Sequence, residues 1–242
     1  MRPVGLQSSE DELNGFEDGL AVLTKLSEQI TIDQLSLKSF RCLEKTMAIE
    51  TDKKTKVSQR RETSSTYKVS RQSDKKFNDK PIFSETRILS EGAVQTNEIG
   101  AVPLIESPFT GYIIQAFSFD NRLSNDFKNV KKERLGERDC QVFSFETVSE
   151  ISAVKISLLG KPVALRQKGL LWVDDETHQL VRVTAKQIKL PKGCISYEYR
   201  MDFKMLTLFG QRFSIPVSTV LIVDFKDKSY QVLQEYSDFQ PI

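Results

Sequence analysis

The sequence has one tryptophan, one histidine and three cysteines in 242 residues, and its 35 Lys and Arg against 33 Asp and Glu leave a net charge of only +2. Each scarcity excludes something. A near-zero net charge denies the protein the broad positive field of a nucleic-acid binder. Cys42, Cys140 and Cys194 lie far apart, with neither CxxC nor Cys/His spacing, which argues against zinc and dithiol redox sites and for buried thiols or at most one disulfide. The lone His178 has no recognisable Ser or Cys partner. Ser8-Ser9, Ser64-Ser65 and Ser118 sit in no Gly-x-Ser-x-Gly setting, and no glycine loop cradles phosphate. No cofactor, no metal and no catalytic residue is therefore expected. No run approaches the roughly 18 apolar residues of a membrane-spanning helix. The opening residues, MRPVGLQSSEDELNG, show no basic start, apolar run or small-residue cleavage site, so a cytoplasmic protein or the mature form of an exported one is expected.

What is present favours a folded core. Hydrophobic residues make up 39%, including 15 Phe and 6 Tyr, while 28% charged residues and a mean hydropathy of -0.35 keep the surface wet. The length suits one large β-rich domain or two small ones. No composition break divides the chain, so one domain over 14–242 is expected, preceded by a flexible segment over 1–13.

From Phe16, Leu20, Leu23 and Ile30 recur near helical turns, and Val22 and Leu26 widen the stripe. This predicts an amphipathic helix over about 14–31, with Asn14 as its N-cap. The period then changes. Residues 40 to about 50 and 64 to about 72 read as a hairpin joined by the charged stretch DKKTKVSQRRE. In ISYEYRMDFKM, Ile195, Tyr197, Tyr199, Met201, Phe203 and Met205 alternate with polar residues, which specifies a strand with one wet face. Gly210-Gln211 reads as a turn, Pro216 as a strand entrance or edge, 217–225 as a strand, Asp227-Lys228 as a turn and 229–239 as the last strand. Residues 141–148 form another strand, with 151–159 expected beside it and ending at Gly160-Lys161-Pro162. Strands separated by local turns favour an antiparallel meander. Residues 73–110 read as a connection or a loop folded over the sheet, and 111–119 as a short helix or strand.

The stretch Trp172-Val173-Asp174-Asp175-Glu176-Thr177-His178 gathers acidic groups beside the only His. Strands flank it, 170–173 before and 180–188 after, and Asp and Thr suit a hairpin loop because their side chains satisfy nearby backbone. The reading is a β-turn with its acidic residues in water, and Trp172 in the core or on a sheet face. Two basic runs, Lys53 to Arg61 and Lys128 to Arg138, are read as solvated loops, because Glu62, Glu133, Glu137 and Asp139 interrupt or border them. The alternative is contact with anionic lipid headgroups, about 1 kcal/mol per placed side chain.

Three segments carry a family likeness: Ser39-Phe40-Arg41-Cys42 after the helix; Lys168-Gly169-Leu170-Leu171-Trp172-Val173-Asp174 with Glu176-Thr177 before Leu180-Val181-Arg182-Val183; and Glu235-Tyr236-Ser237-Asp238-Phe239, with Ile215-Pro216 as a strand entrance. Over about 14–240 the chain resembles a family of uncharacterised bacterial exported proteins related to the periplasmic lipoprotein-carrier fold, the LolA-like half-barrel. The resemblance implies a mainly β (α+β) fold: one curved antiparallel sheet in a half-open barrel, with the N-terminal helix and a loop or helix segment on the concave side. It implies an extracytoplasmic, periplasmic location, no enzymatic activity, and shelter for acyl chains.

A sheet with one apolar face must cover it with helix, loop or ligand. Phe143, Phe145, Tyr197, Tyr199 and Phe203 are the candidate ligand-binding residues. The competing expectation is that Leu20, Leu23 and the 81–110 segment fill that face entirely. Expected partners are lipid or lipoprotein acyl chains or another envelope protein, with no nucleic acid, and the protein is expected to be a monomer.

Overall fold

The computed structural model describes residues 7–72, 82–89, 102–105, 107–111, 117–118, 122–148, 155–158, 161–164 and 166–242. One helix, α1 (Gln7–Ser36), opens the chain. Ten strands build one antiparallel sheet: β1 (Phe40–Asp52), β2 (Ser58–Gln72), β3 (Ile82–Leu89), β4 (Asn125–Leu135), β5 (Arg138–Thr147), β8 (Gln167–Asp174), β9 (Leu180–Gln187), β10 (Cys194–Leu208), β11 (Gln211–Phe225) and β12 (Lys228–Pro241). Their order is β3-β2-β1-β12-β11-β10-β9-β8-β5-β4. The sheet is curved and does not close, because β3 and β4 remain as edges on opposite sides of a half-open barrel. The mainly β fold, one open antiparallel sheet with an N-terminal helix, is the expected one.

Consecutive strands mostly pair through short turns, while β1 and β12 join the two ends of the chain over a long register from Phe40↔Pro241 to Asp52↔Lys228. Between β3 and β4 the chain must pass from one edge to the other. The described parts of that passage place Ile105, Phe109 and Phe117 in the core, each at most 4% exposed. Ile105 and Phe117 share a cluster with Val22, Leu26 and Ile30 of α1, and Phe109 joins a second one with Leu37, Phe40, Tyr67 and Phe213. Spaced four apart, Val22, Leu26 and Ile30 bring one helical stripe onto the sheet. Leu20, expected in that stripe, is instead half exposed at 53%, because it lies off the Val22-Leu26-Ile30 line. The helix is longer at both ends than the predicted 14–31, and Asn14 falls within it, so it is not the N-cap.

Other expectations are corrected too. Residues 128–135 form not a loop but part of edge strand β4, on which Lys128, Lys131, Lys132 and Arg134 are exposed. Charged side chains on an edge discourage pairing with a second sheet, and they hide the alternation from a sequence reading. In the other basic run, Lys53 to Thr55 turn while Arg60 and Arg61 belong to β2. The segment expected beside β5 supplies β6 (Lys155–Leu158), which pairs with β7 (Lys161–Ala164) in a separate two-stranded sheet. The neighbours of β5 are β4 and β8; a strand of four residues followed closely by its own return pairs locally, where loop closure costs least. In the segment read as a connection, β3 forms and pairs with β2. The reading of 111–119 lies mostly outside the described residues. All three cysteines are free thiols, and burial pushes Cys42 up to about 12 and Cys140 to about 11.

Candidate functional site

The hairpin of β10 and β11 outreaches its neighbours. Pairing of β9 to β10 spans only Asp202 to Glu198, and pairing of β11 to β12 only Ser218 to Asp224. Residues 203–216 therefore pair only with each other, around a turn in which Phe209 and Gly210 both have positive φ, 53° and 74°, as a right-twisted two-residue hairpin requires. Pro216 lies inside β11 rather than at its start, opposite a register shift at Phe203. It is tolerated because β12 does not pair there.

The C-terminal half of α1 packs beside this free edge. Asp33 accepts hydrogen bonds from Gln29 Nε2 (2.8 Å) and the backbone N–H of Ser214. Ser214 Oγ in turn donates to the Leu180 carbonyl at 2.8 Å. From β2, Arg71 Nη1 donates to the carbonyls of Leu35 (2.8 Å) and Leu37 (2.9 Å), satisfying groups that every helix end leaves open.

Between helix and hairpin lies a cavity of about 490 Å³. Its apolar wall includes Leu26, Ile30, Phe40, Phe109, Phe203 and Phe213. A smaller cavity of about 240 Å³ lies farther along the helix, against Leu23, Phe117, Phe127 and Phe143. A hollow of about 670 Å³ is larger than either, but it lies on the opposite face of the sheet among Lys128, Glu146, Lys168, Lys186, Glu198 and Arg200, where charges face water.

All five sequence-selected aromatics lie in the same core cluster, between 1% and 4% exposed. Phe203 borders the main cavity and Phe143 the smaller one. Phe145 stacks edge-on against Phe117 at 4.9 Å. The Tyr199 hydroxyl donates to Gln167, and its ring lies 6.5 Å from that of Tyr197. The helix and the crossing segment thus cover much of the face that the sequence left open, and the space that remains lies toward its end. Asp33, Phe109 and Phe213 were not singled out from sequence. Phe109 sits in the proline-punctuated segment and Phe213 beside a turn, where periodicity is silent.

A buried polar network holds the crossing segment down. Glu44, 1% exposed, accepts from Arg87 Nε (2.7 Å), Ser65 Oγ (2.9 Å) and Gln234 Nε2 (2.9 Å). Arg87 Nη2 donates to the Ile105 carbonyl at 2.8 Å, and the Ile105 N–H donates to Gln234 Oε1 at 3.2 Å. The Thr110 N–H donates to Glu85 at 2.8 Å, and Tyr67 hydroxyl to the other Glu85 oxygen at 2.6 Å. Burial raises the Glu85 carboxyl above its ordinary range despite these donors.

The acidic stretch around His178 is a turn, as its composition predicts. Asp174 is buried rather than in water, because its Oδ1 accepts from the N–H groups of Glu176 (3.1 Å) and Thr177 (2.8 Å). Its backbone closes the loop with Gln179. Asp175 accepts from Gln141 Nε2 at 2.9 Å, which holds its carboxyl below the usual range. Trp172 lies on the outward face with Cys140, Val142 and Val181. Asp174→Ala is expected to cost about 1–3 kcal/mol by leaving the two amides unpaired, read as a lower urea midpoint with unchanged slope. Asp174→Asn, which keeps an acceptor, is expected to retain most of the stability.

No family model matches the chain, and no curated protein does. Among solved structures it is similar to a LolA superfamily protein from Nitrosomonas europaea, at 12% identity over 92% of this chain and 93% of that one, with a TM-score of 0.37. It is similar also to a DUF1329 family protein from Desulfovibrio piger, at 9% identity over 91% and 92%, TM-score 0.40. A third is a domain named for outer membrane lipoprotein sorting, from Vibrio parahaemolyticus, at 10% identity over 89% and 90%, TM-score 0.39. The first and third carry names of the LolA and lipoprotein-sorting kind to which the sequence resemblance pointed. Identities this low leave ligand and partner to be read from the chain's own residues.

Proposed function

We propose that the protein is a non-enzymatic extracytoplasmic binding protein that shelters an apolar ligand, a lipid or a lipidated polypeptide, in its half-barrel. One observation carries this reading: the cavity of about 490 Å³ between α1 and the β10–β11 hairpin, walled mostly by aliphatic and aromatic side chains. Its size falls within the roughly 300–1,000 Å³ of ordinary ligand pockets. Each methylene buried there gains about 0.8 kcal/mol, so a short stretch of acyl chain outweighs the cost of ordering it. Phe203 contacts the chain directly, Phe143 lines a second chamber, and Phe145, Tyr197 and Tyr199 form the wall behind them. The extracytoplasmic location rests on the resemblance of Ser39 to Cys42, Lys168 to Val183 and Glu235 to Phe239 to the exported family.

Native mass spectrometry of the purified protein is expected to show copurified lipid, and N-phenyl-1-naphthylamine, a neutral apolar probe, to brighten on binding. Ile30→Trp, which fills the cavity, is expected to weaken probe binding by roughly 10-fold. A protein that carries no lipid and takes up no probe is not a carrier.

The close packing of Phe145, Tyr197 and Tyr199 favours a second reading, an envelope interaction module with a filled core that presents its sheet edges or surface. Partner capture from native extract that survives Tyr199→Ala and Phe203→Ala supports that reading over the first.

A further inference from the structure

The wall of the main cavity contains polar groups from Gln29, Thr31, Gln34, Thr110, Ser118, Gln179 and Ser214, but among the described residues neither Lys, Arg nor His lines it, and Asp33 is the one charged side chain there. A carrier that held an anionic head inside would need a cation or a cluster of N–H donors facing that head. This cavity offers the opposite sign. We propose that it takes single-chain amphiphiles ending in an ammonium head and excludes those ending in sulfate, phosphate or carboxylate, with Asp33 as the residue that sets this choice. The inference rests on the carrier reading and names the ligand class for the same site.

Asp33 is placed for that role. Its carboxylate accepts from Gln29 Nε2 and from the Ser214 N–H, which uses two of about four acceptor positions on an ionised carboxylate. The others remain for a donor-bearing head. An ammonium beside it gains a charge-assisted hydrogen bond in a site of low dielectric, whereas an anion meets repulsion that water screens little. The groups that face Asp33, Gln29 from its own helix and Ser214 from β11, do not titrate. Of the cations near this end of the helix, Arg71 is engaged by the Leu35 and Leu37 carbonyls and Lys38 lies over the Phe209 ring at 5.8 Å. Burial raises the Asp33 carboxyl to about 6, with Gln29 and Ser214 opposing the rise. Selectivity should therefore weaken as the pH falls through that value and the carboxyl becomes neutral. The whole protein's charge of +2 pulls slightly the other way, so a preference for cations must come from the site.

Decylammonium, which carries three N–H donors as a lysine side chain does, and decyl sulfate share a chain and hold their charges at all relevant pH. Below their micellar concentrations, each is titrated against N-phenyl-1-naphthylamine bound to the full chain. At about pH 7.5 the ammonium compound is expected to displace the probe at roughly 10-fold lower concentration than the sulfate. At about pH 5 the ratio should fall to within about twofold. Asp33→Asn keeps an acceptor for the Ser214 N–H, and with the probe titrated afresh on the variant its displacement ratio is expected to be near one at both pH values. Equal displacement by the two compounds in the wild type at about pH 7.5, or a preference that persists in Asp33→Asn, overturns the assignment while leaving the carrier reading in place. Failure of the wild type to bind the probe overturns both. If Asp33→Asn does not fold, the pH dependence of the wild-type ratio decides.

Discussion

Replacing Glu44 by Ala is expected to lower stability by about 3–5 kcal/mol, the usual result of removing one partner of a buried ion pair. The carboxylate is 1% exposed, and of the groups donating to it Ser65 and Gln234, each at 2.9 Å, are buried and Arg87, at 2.7 Å, is mostly so. Alanine leaves the guanidinium of Arg87 over the Tyr67 ring, 4.6 Å from its centroid, without its counter-charge. The Gln234 side chain, which also accepts from Ile105 and Thr219, loses a fixed partner as well. For a chain of this length each kcal/mol moves the melting temperature by roughly 2–4 °C, so a fall on the order of 10 °C is expected by calorimetry. The double change Glu44→Leu with Arg87→Met removes both charges and is expected to recover more than half of the loss. A second readout follows from the tether: residues 102–105 and 107–111 are held through Ile105 and Thr110, so limited proteolysis in Glu44→Ala should begin there. A single variant that melts within about 2 °C of the wild type would show that the network is not what holds this segment down.

Gly169→Ala is expected to cost about 3 kcal/mol, at the upper end for overpacking. An added Cβ would stand 1.9 Å from the Thr184 carbonyl oxygen, 2.7 Å from the Ala185 Cα and 2.8 Å from the Thr184 carbonyl carbon. These are backbone atoms of the paired strand, so no side chain can swing aside. Strands β8 and β9 would have to part where Gly169 faces Ala185, and Phe145, opposite Gly169 on β5, would shift with them. Gly19→Ala is the control. There the new methyl meets Asn129 and Phe143 at 3.3–3.4 Å, a crowding offset by the roughly 1 kcal/mol better helix propensity of Ala, and a change within about 1 kcal/mol is expected. Equal melting temperatures for the two variants would remove the close approach of β8 and β9 as the reason for glycine.

Much of the sheet was legible because it is written in period two. Tyr197, Tyr199, Met201 and Phe203 point to one side by alternation alone, and the structure puts all four in one cluster. The acidic turn was legible because Asp174 and Thr177 carry the chemistry that closes it. Edge strands were not. On β4, Lys128, Lys131, Lys132 and Arg134 occupy a strand whose free side faces water, and the alternation that betrays a half-buried strand is absent. The cavity was harder still. Its wall combines Ile30 and Asp33 from the helix, Phe109 from the crossing segment, and Phe203, Phe213 and Ile215 from the hairpin, and no local pattern announces that such distant residues meet.

Short-range periodicity and turn chemistry were enough to mark the central strands, the apolar face of those strands, and a helix before them. Only the tertiary structure decided how far that apolar face is covered. The answer depends on where Val22, Leu26, Ile30, Ile105 and Phe117 come to rest, and on Glu44, Arg87 and Gln234 meeting from strands far apart in sequence. It also decided that the remaining space lies beside Asp33. Local preference sets elements, but the volume left between them is a difference between large packed surfaces, and only their placement settles it.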